Sequence, residues 1–259
     1  MNLIRIWAIG SNSFREIIRD RILYVVGIFV LVMVLAWRIL PEVAPGAQDK
    51  ILLDFGLGVI NVLAVGIAIL LGGNLINKEI DRRTILALIP KPLSRAEFII
   101  GKHLGLSAVL AVLVASMMAI YLGVLTLAKV AYPIGPLLMT GLFLVLELML
   151  IVAAAIMFGS ITSSILATLL TGLVYLAGHG SRDMVNMAHL GESKSPGFQK
   201  LADALFVILP DLARFDLKNS AVYSTLPNSA DLWTSFGYSI IYTAVFLVIT
   251  IALFSRREF

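Results

Sequence analysis

The sequence predicts an all-α membrane protein with six transmembrane helices, and composition and run length together predict it. Of the 259 residues, 59% are hydrophobic and 14% are charged, against roughly 25% charged in a water-soluble domain. The mean hydropathy is +0.97. The apolar residues gather into runs of about 20, the length of helix that crosses a bilayer core. A soluble globule is excluded, and a single membrane domain, residues 1–259, accounts for the chain.

The first element covers residues 2–18. There Leu3, Ile6, Trp7, Gly10, Phe14, Ile17 and Ile18 recur at intervals of three and four, opposite Asn2, Arg5, Asn12, Arg15 and Arg19. A helix divided in this way is expected to lie flat on the membrane surface. Spans follow near 22–40, 53–76, 104–128, 136–158, 161–180 and 234–254. The first of them has an amphipathic segment in front and Trp37 and Arg38 behind, so it reads as a retained span rather than a signal peptide. Gly159, Ser160 and a few small polar residues leave room only for a tight hairpin between the fourth and fifth spans. Within the long segment 181–233, Phe198, Leu201 and residues 205–209 form an apolar stretch of about 12 residues, stopped by Pro210 and Asp211. That length suits an interfacial or re-entrant helix.

Orientation is read from the basic residues. The amino-terminal segment holds Arg5, Arg15, Arg19 and Arg21; the connection 77–103 holds Lys78, Arg82, Arg83, Lys91, Arg95 and Lys102; the tail adds Arg256 and Arg257. The short connections on the other side hold only Arg38, Lys50 and Lys129. Both termini and residues 77–103 are therefore expected in the cytoplasm, in the inner membrane of a prokaryote, with 181–233 outside. The net charge of +4 is thus a topology signal, and no nucleic-acid partner is expected. The absence of cysteine removes disulfides, thiolate metal sites and cysteine nucleophiles.

The segment from Asn77 to His103, NKEIDRRTILALIPKPLSRAEFIIGKH, is the most punctuated in the chain. Glu79 and Arg83, four apart, are expected to pair along a helix continuing from the second span. Pro90 and Pro92 break that helix. Ser94 with Glu97 three residues later has the pattern of a capping box, so a new helix starts there. Helix, break and recapped helix make a short cytoplasmic element hung between two spans, a shape suited to a groove on another protein.

These residues resemble the ABC type-2 exporter permeases, in which a glutamate-containing start, a Thr, a Pro-x-Ser-Arg turn and a Gly-Lys follow the second span. Here they are Glu79, Thr84, Pro92, Ser94, Arg95, Gly101 and Lys102, with departures at Asp81 and Arg82 and with Arg83 where many relatives carry a small residue. The wider layout is similar too: an elbow helix at 2–18, six spans, a long outer segment, and a basic tail, FSRREF. The stretch LPDLARFDLKN, 209–219, is also similar to one found before the last span of many such permeases.

The resemblance implies a permease subunit that pairs with a second, identical or related permease, each receiving one cytoplasmic ATPase subunit. The ATPase-coupling residues implied are Glu79, Asp81, Arg82, Arg83, Thr84, Pro92, Ser94 and Arg95. The chain carries no G-x-x-x-x-G-K-[ST] loop, so ATP and Mg are expected in the partner and no cofactor or catalytic activity in this chain.

Glu147, midway along the fourth span, costs several kcal/mol there unless protonated, paired or wet. It reads either as a cation or proton site on a translocation path or as a carboxyl bonding a neighbouring helix, at Asn61, Thr168 or Tyr175; the second reading is preferred. Asn61 and Asn74, with Gly66, Gly72 and Gly73, suggest polar contacts and close helix approach. His179, Arg182, Asp183 and His189 read as a polar outer loop, since their spacing matches no common metal pattern. Trp37, Tyr132, Trp233 and Tyr238 are expected as interfacial anchors. Two rival functions compete. A secondary carrier or channel would use Glu147; an intramembrane protease would use Ser160, Ser163 or Ser164 with a histidine.

Overall fold

The computed structural model describes residues 2–20, 22–43, 45–81, 94–189 and 196–255. Nine helices occur among them and no strand: α1 Leu3–Asp20, α2 Ile22–Val43, α3 Gln48–Asp81, α4 Arg95–Leu127, α5 Ile134–Ile161, α6 Ser164–His189, α7 Pro196–Ile208, α8 Lys218–Val222 and α9 Ser229–Ser255. Six of these, α2 to α6 and α9, are long and apolar enough to cross a membrane.

Each expected span falls on one of these helices, apart from residues 161–163 and 128 at span ends, and most of the helices outrun them. With 34 and 33 residues, α3 and α4 each extend about 50 Å, well beyond a hydrocarbon core of about 30 Å. An apolar window ends at the first cluster of charges, whereas a helix continues while its backbone hydrogen bonds do. For the same reason α6 does not stop at residue 180, and His179, Arg182 and Asp183 stand on a helix rather than in a loop.

Of the six, α5 is the central one. It is apolar on all sides, and 72% of its apolar window is buried within the protein, against 17% for α9. A helix hydrophobic all round is a core helix, and α5 accordingly packs on α3, α4, α6 and α9. Gly72 and Gly73 bring α3 against Ala155 of α5 and Thr168 of α6, as expected. Gly66 does not take part, since open space surrounds it. The α5–α6 hairpin is as tight as expected: α5 ends at Ile161 and α6 begins at Ser164.

Along α4 runs α1, with Ile6, Gly10 and Ser13 turned inward while Leu3, Ile4 and Trp7 stay exposed. The amphipathic stripe is therefore divided between α4 and the surroundings. Contact is close because Gly101 and Gly105 of α4 lack side chains. A Cβ at Gly105 would lie 2.7 Å from the Gly10 carbonyl oxygen.

The apolar stretch before Pro210 forms α7, near the expected position. Beyond it the chain turns into the bundle. Leu212 and Phe215, in a 3-10 turn spanning Leu212–Phe215, are buried with Leu217 and Ala221. Thr140 of α5 donates a hydrogen bond to the Leu217 carbonyl at 3.3 Å. Tyr238, expected as an interfacial anchor, belongs to this packing instead. Its hydroxyl accepts the Asp211 N–H at 2.8 Å and its ring lies 4.5 Å from that of Tyr242.

Candidate functional site

Two polar clusters stand out, one at each half of the bundle. The first surrounds the two ends of residues 82–93. Arg82, Arg83, Thr84 and Pro92 lie outside the described residues, as does any Glu79–Arg83 pair; Asp81 closes α3. Glu79, Ser94 and Arg95 are described, and each has a partner.

Glu79 Oε1 lies 2.5 Å from Lys102 Nζ, and the Lys102 side chain is 6% exposed. The ammonium also sits 5.8 Å from the Phe98 ring centroid. A charge pair this far from water persists only with such short geometry, because desolvation opposes it. It ties the last turns of α3 to the first turns of α4, on either side of 82–93.

The expected capping box is formed. Ser94 Oγ accepts the Glu97 N–H at 3.1 Å, and Glu97 Oε2 accepts the Ser94 N–H at 3.2 Å. Glu97 Oε1 accepts the Asn2 N–H at 2.7 Å, so one carboxylate caps α4 and holds the start of α1. Arg95 reaches in another direction. Its Nη1 donates to the carbonyls of Phe254 and Ser255, at 2.8 and 2.7 Å. Those belong to the last turn of α9, where carbonyls lack helical partners and a cation is favoured. Phe98 stacks on Phe254, with centroids 6.3 Å apart. Lys78 on α3 pairs with Glu16 on α1 at 3.0 Å. Four helices, α1, α3, α4 and α9, thus meet beside the segment 82–93.

The second cluster lies on α5, α6 and the 209–222 segment. Glu147 is 1% exposed, and its Oε1 lies 2.7 Å from His179 Nε2. The expected neighbouring-helix bond exists, but its partner is His179 rather than Asn61, Thr168 or Tyr175. His179, near the end of the expected span, places its partly buried imidazole against Glu147. Tyr175, one turn before His179, donates its hydroxyl to Asn61 Oδ1 at 3.2 Å, and its ring meets the imidazole edge-on at 4.7 Å. Asn61 is buried. Nearby, Asp211 accepts from Arg182 at 2.6 Å and from Arg214 at 3.0 Å, pinning the buried turn to α6.

His179 and His189 stand ten positions apart on α6, about 15 Å along the axis. Ser164 begins α6 and lies about 22 Å from His179, and Ser160 Oγ donates to the Met157 carbonyl. No serine–histidine pair of a protease forms from these residues.

Lys102 and His179 are the partners that sequence reasoning missed. Lys102 appeared as a topology charge and as half of a Gly-Lys motif, although a lysine about two turns inside a long helix needs a counter-charge. Gly101 and Gly105 are a small-xxx-small pattern, readable as a close-approach surface.

A family model described as ABC-2 family transporter protein matches residues 7–259. The chain belongs to the ABC-2 transporter family. No curated protein matches it. This ABC-2 protein is a permease component of an ABC transporter rather than its nucleotide-binding domain, and it is a multi-pass membrane protein whose family implies an ABC ATPase partner. The cluster around Glu79, Lys102 and Arg95 stands in this ABC-2 permease at the connection that follows its second span.

Proposed function

We propose that the chain is the membrane subunit of an ATP-driven exporter, working as a pair of identical or related permeases with two cytoplasmic ATPase subunits. ATP and Mg are used by those subunits, which close on nucleotide and push on residues 79–95. The push passes into the bundle and the spans reorganise to move substrate outward. Both termini and 77–103 face the cytoplasm of a prokaryotic cell, on the side favoured by the distribution of Lys and Arg.

One observation supports this reading above the others. The described residues that flank 82–93 are anchored: Glu79–Lys102, the Ser94–Glu97 box, the Glu97–Asn2 bond and the Arg95 bonds connect α3, α4, α9 and the start of α1. Force applied to a segment so attached moves four helices together, whereas a slack loop would absorb it. Asp81, Arg82, Arg83, Thr84 and Pro92 complete the docking element in this reading.

The test is to neutralise Glu79 and Arg83 together and to measure co-purification with the partner ABC ATPase, along with permease-dependent ATPase activity. Loss of coupling is expected. Unchanged assembly and unchanged ATPase activity would remove 79–95 from the docking role.

A further inference from the structure

Glu147 is the deepest acid of the second cluster, and nothing in the coupling scheme uses it. Its environment is asymmetric. On one side stands His179 Nε2 at 2.7 Å. On the other is a cavity of about 10 Å³ lined by Asn61, Thr140, Glu147, Asp216 and Lys218, with Leu57, Met118 and Phe215 among its apolar walls. That volume is about what one water needs, and a buried water needs two to four polar partners; Asn61, Thr140 and Glu147 can supply them. At the rim, Asp216 and Lys218 pair at 3.4 Å with side chains 34% and 26% exposed. A water-sized step therefore separates a buried carboxyl from an ion pair in contact with solvent.

We propose that Glu147 and His179 together form a proton-binding site, loaded through this cavity from the membrane face that carries residues 209–222. With His179 Nε2–H donating to Oε1, a proton delivered by water binds at Glu147 Oε2 and takes the pair from a net charge of −1 to neutral; its release restores the charge. The charged and titratable groups facing Glu147 are His179 and Tyr175 from α6 and Asp216 and Lys218 from the buried turn. From α3 and α4 come Asn61 and Met118, and α9 contributes Ser239, bonded at 3.0 Å to the neighbouring Leu146 carbonyl. A purely structural bond between α5 and α6 would need neither a carboxylate nor a wet neighbour. A carboxylate is the costly choice at this depth, and a cavity beside it gives the proton a route.

The full chain in lipid nanodiscs is titrated between about pH 5 and 8 while infrared difference spectra follow the protonated carboxyl C=O band. A titrating band is expected in the wild type, absent in Glu147→Gln, with its midpoint moved by on the order of one pH unit in His179→Gln. A wild-type spectrum with no carboxyl titration overturns the proposal. So does a band that persists in Glu147→Gln or that ignores His179→Gln. Should Glu147→Gln fail to fold, the wild type and His179→Gln still decide the matter. The measurement uses no ATPase, so its failure leaves the coupling reading standing.

Discussion

The two polar clusters differ in what holds them and in what each can therefore do. At the base of 82–93, full charges meet full charges or helix ends: Lys102 with Glu79, Arg95 with the α9 carbonyls, Glu97 with the α4 and α1 amides. Around Glu147 the partners are an imidazole, a phenol and an amide beside a small cavity. Fixed charges in short contact resist rearrangement and suit a joint that carries load. A buried carboxyl in contact with an imidazole, next to a space for water, suits a site that changes state. The difference teaches that polarity within a helical bundle has two uses, separable by whether the partners are fixed charges or uncharged groups beside a cavity.

That distinction is open to mutation. The largest effect is expected from Lys102→Met, which removes the ammonium 2.5 Å from Glu79 and should destabilise the permease by about 3 kcal/mol, the low end for a buried pair because Glu79 keeps some exposure. Adding Glu79→Leu should restore most of that loss in thermal unfolding; if the two losses simply add, the pair does not act as a unit. Glu147→Ala should follow at about 2 kcal/mol, from the void and the stranded imidazole, while Glu147→Gln should cost under about 1 kcal/mol because an amide can still meet His179. Equal losses for the two would show that packing alone matters there.

Gly105→Ala, whose Cβ would crowd the Gly10 carbonyl at 2.7 Å and the Ser13 Cβ at 2.9 Å, should cost about 1.5 kcal/mol and loosen α1, seen as faster proteolysis of the amino terminus. Gly123→Ala, which meets open space on the same helix, should be neutral or slightly stabilising. A modest effect is expected from Arg95→Ala, about 1 kcal/mol, with hydrogen exchange quickened in the last turn of α9. Exchange unchanged there would mean that Arg95 does not hold α9.

Most of the fold was legible because a span is a long, one-letter pattern. Each expected run sits on a helix, and the α5–α6 hairpin and the Ser94–Glu97 box followed from local chemistry that needs no tertiary partner. Helix ends were less legible. Residues 95–103 carry Arg95, Glu97 and Lys102, which an apolar window rejects, yet they are helical because α3, α1 and α9 supply partners for those charges. The site was legible by element and not by contact. Glu147 announced itself by depth, but its partner depended on how α5 and α6 are set against each other. Glu79 has its near-neighbour prospect, Arg83, outside the described residues, and finds Lys102 across the helix interface. The burial of Leu212 and Phe215 was illegible for a related reason: a short apolar turn after a proline looks the same whether it faces lipid or a gap between α5 and α6.

The central claim, that a nucleotide-driven partner grips the segment between α3 and α4, is tested most directly by photocrosslinking. A crosslinking residue is placed at Thr84 in one variant and at Tyr132, in the α4–α5 connection at the opposite end of α4, in another. Each variant is expressed with the partner ABC ATPase and irradiated in native membranes. Capture of the ATPase from position 84 and not from position 132 is the predicted result. Capture from 132 alone would place the motor on the other face and contradict the account.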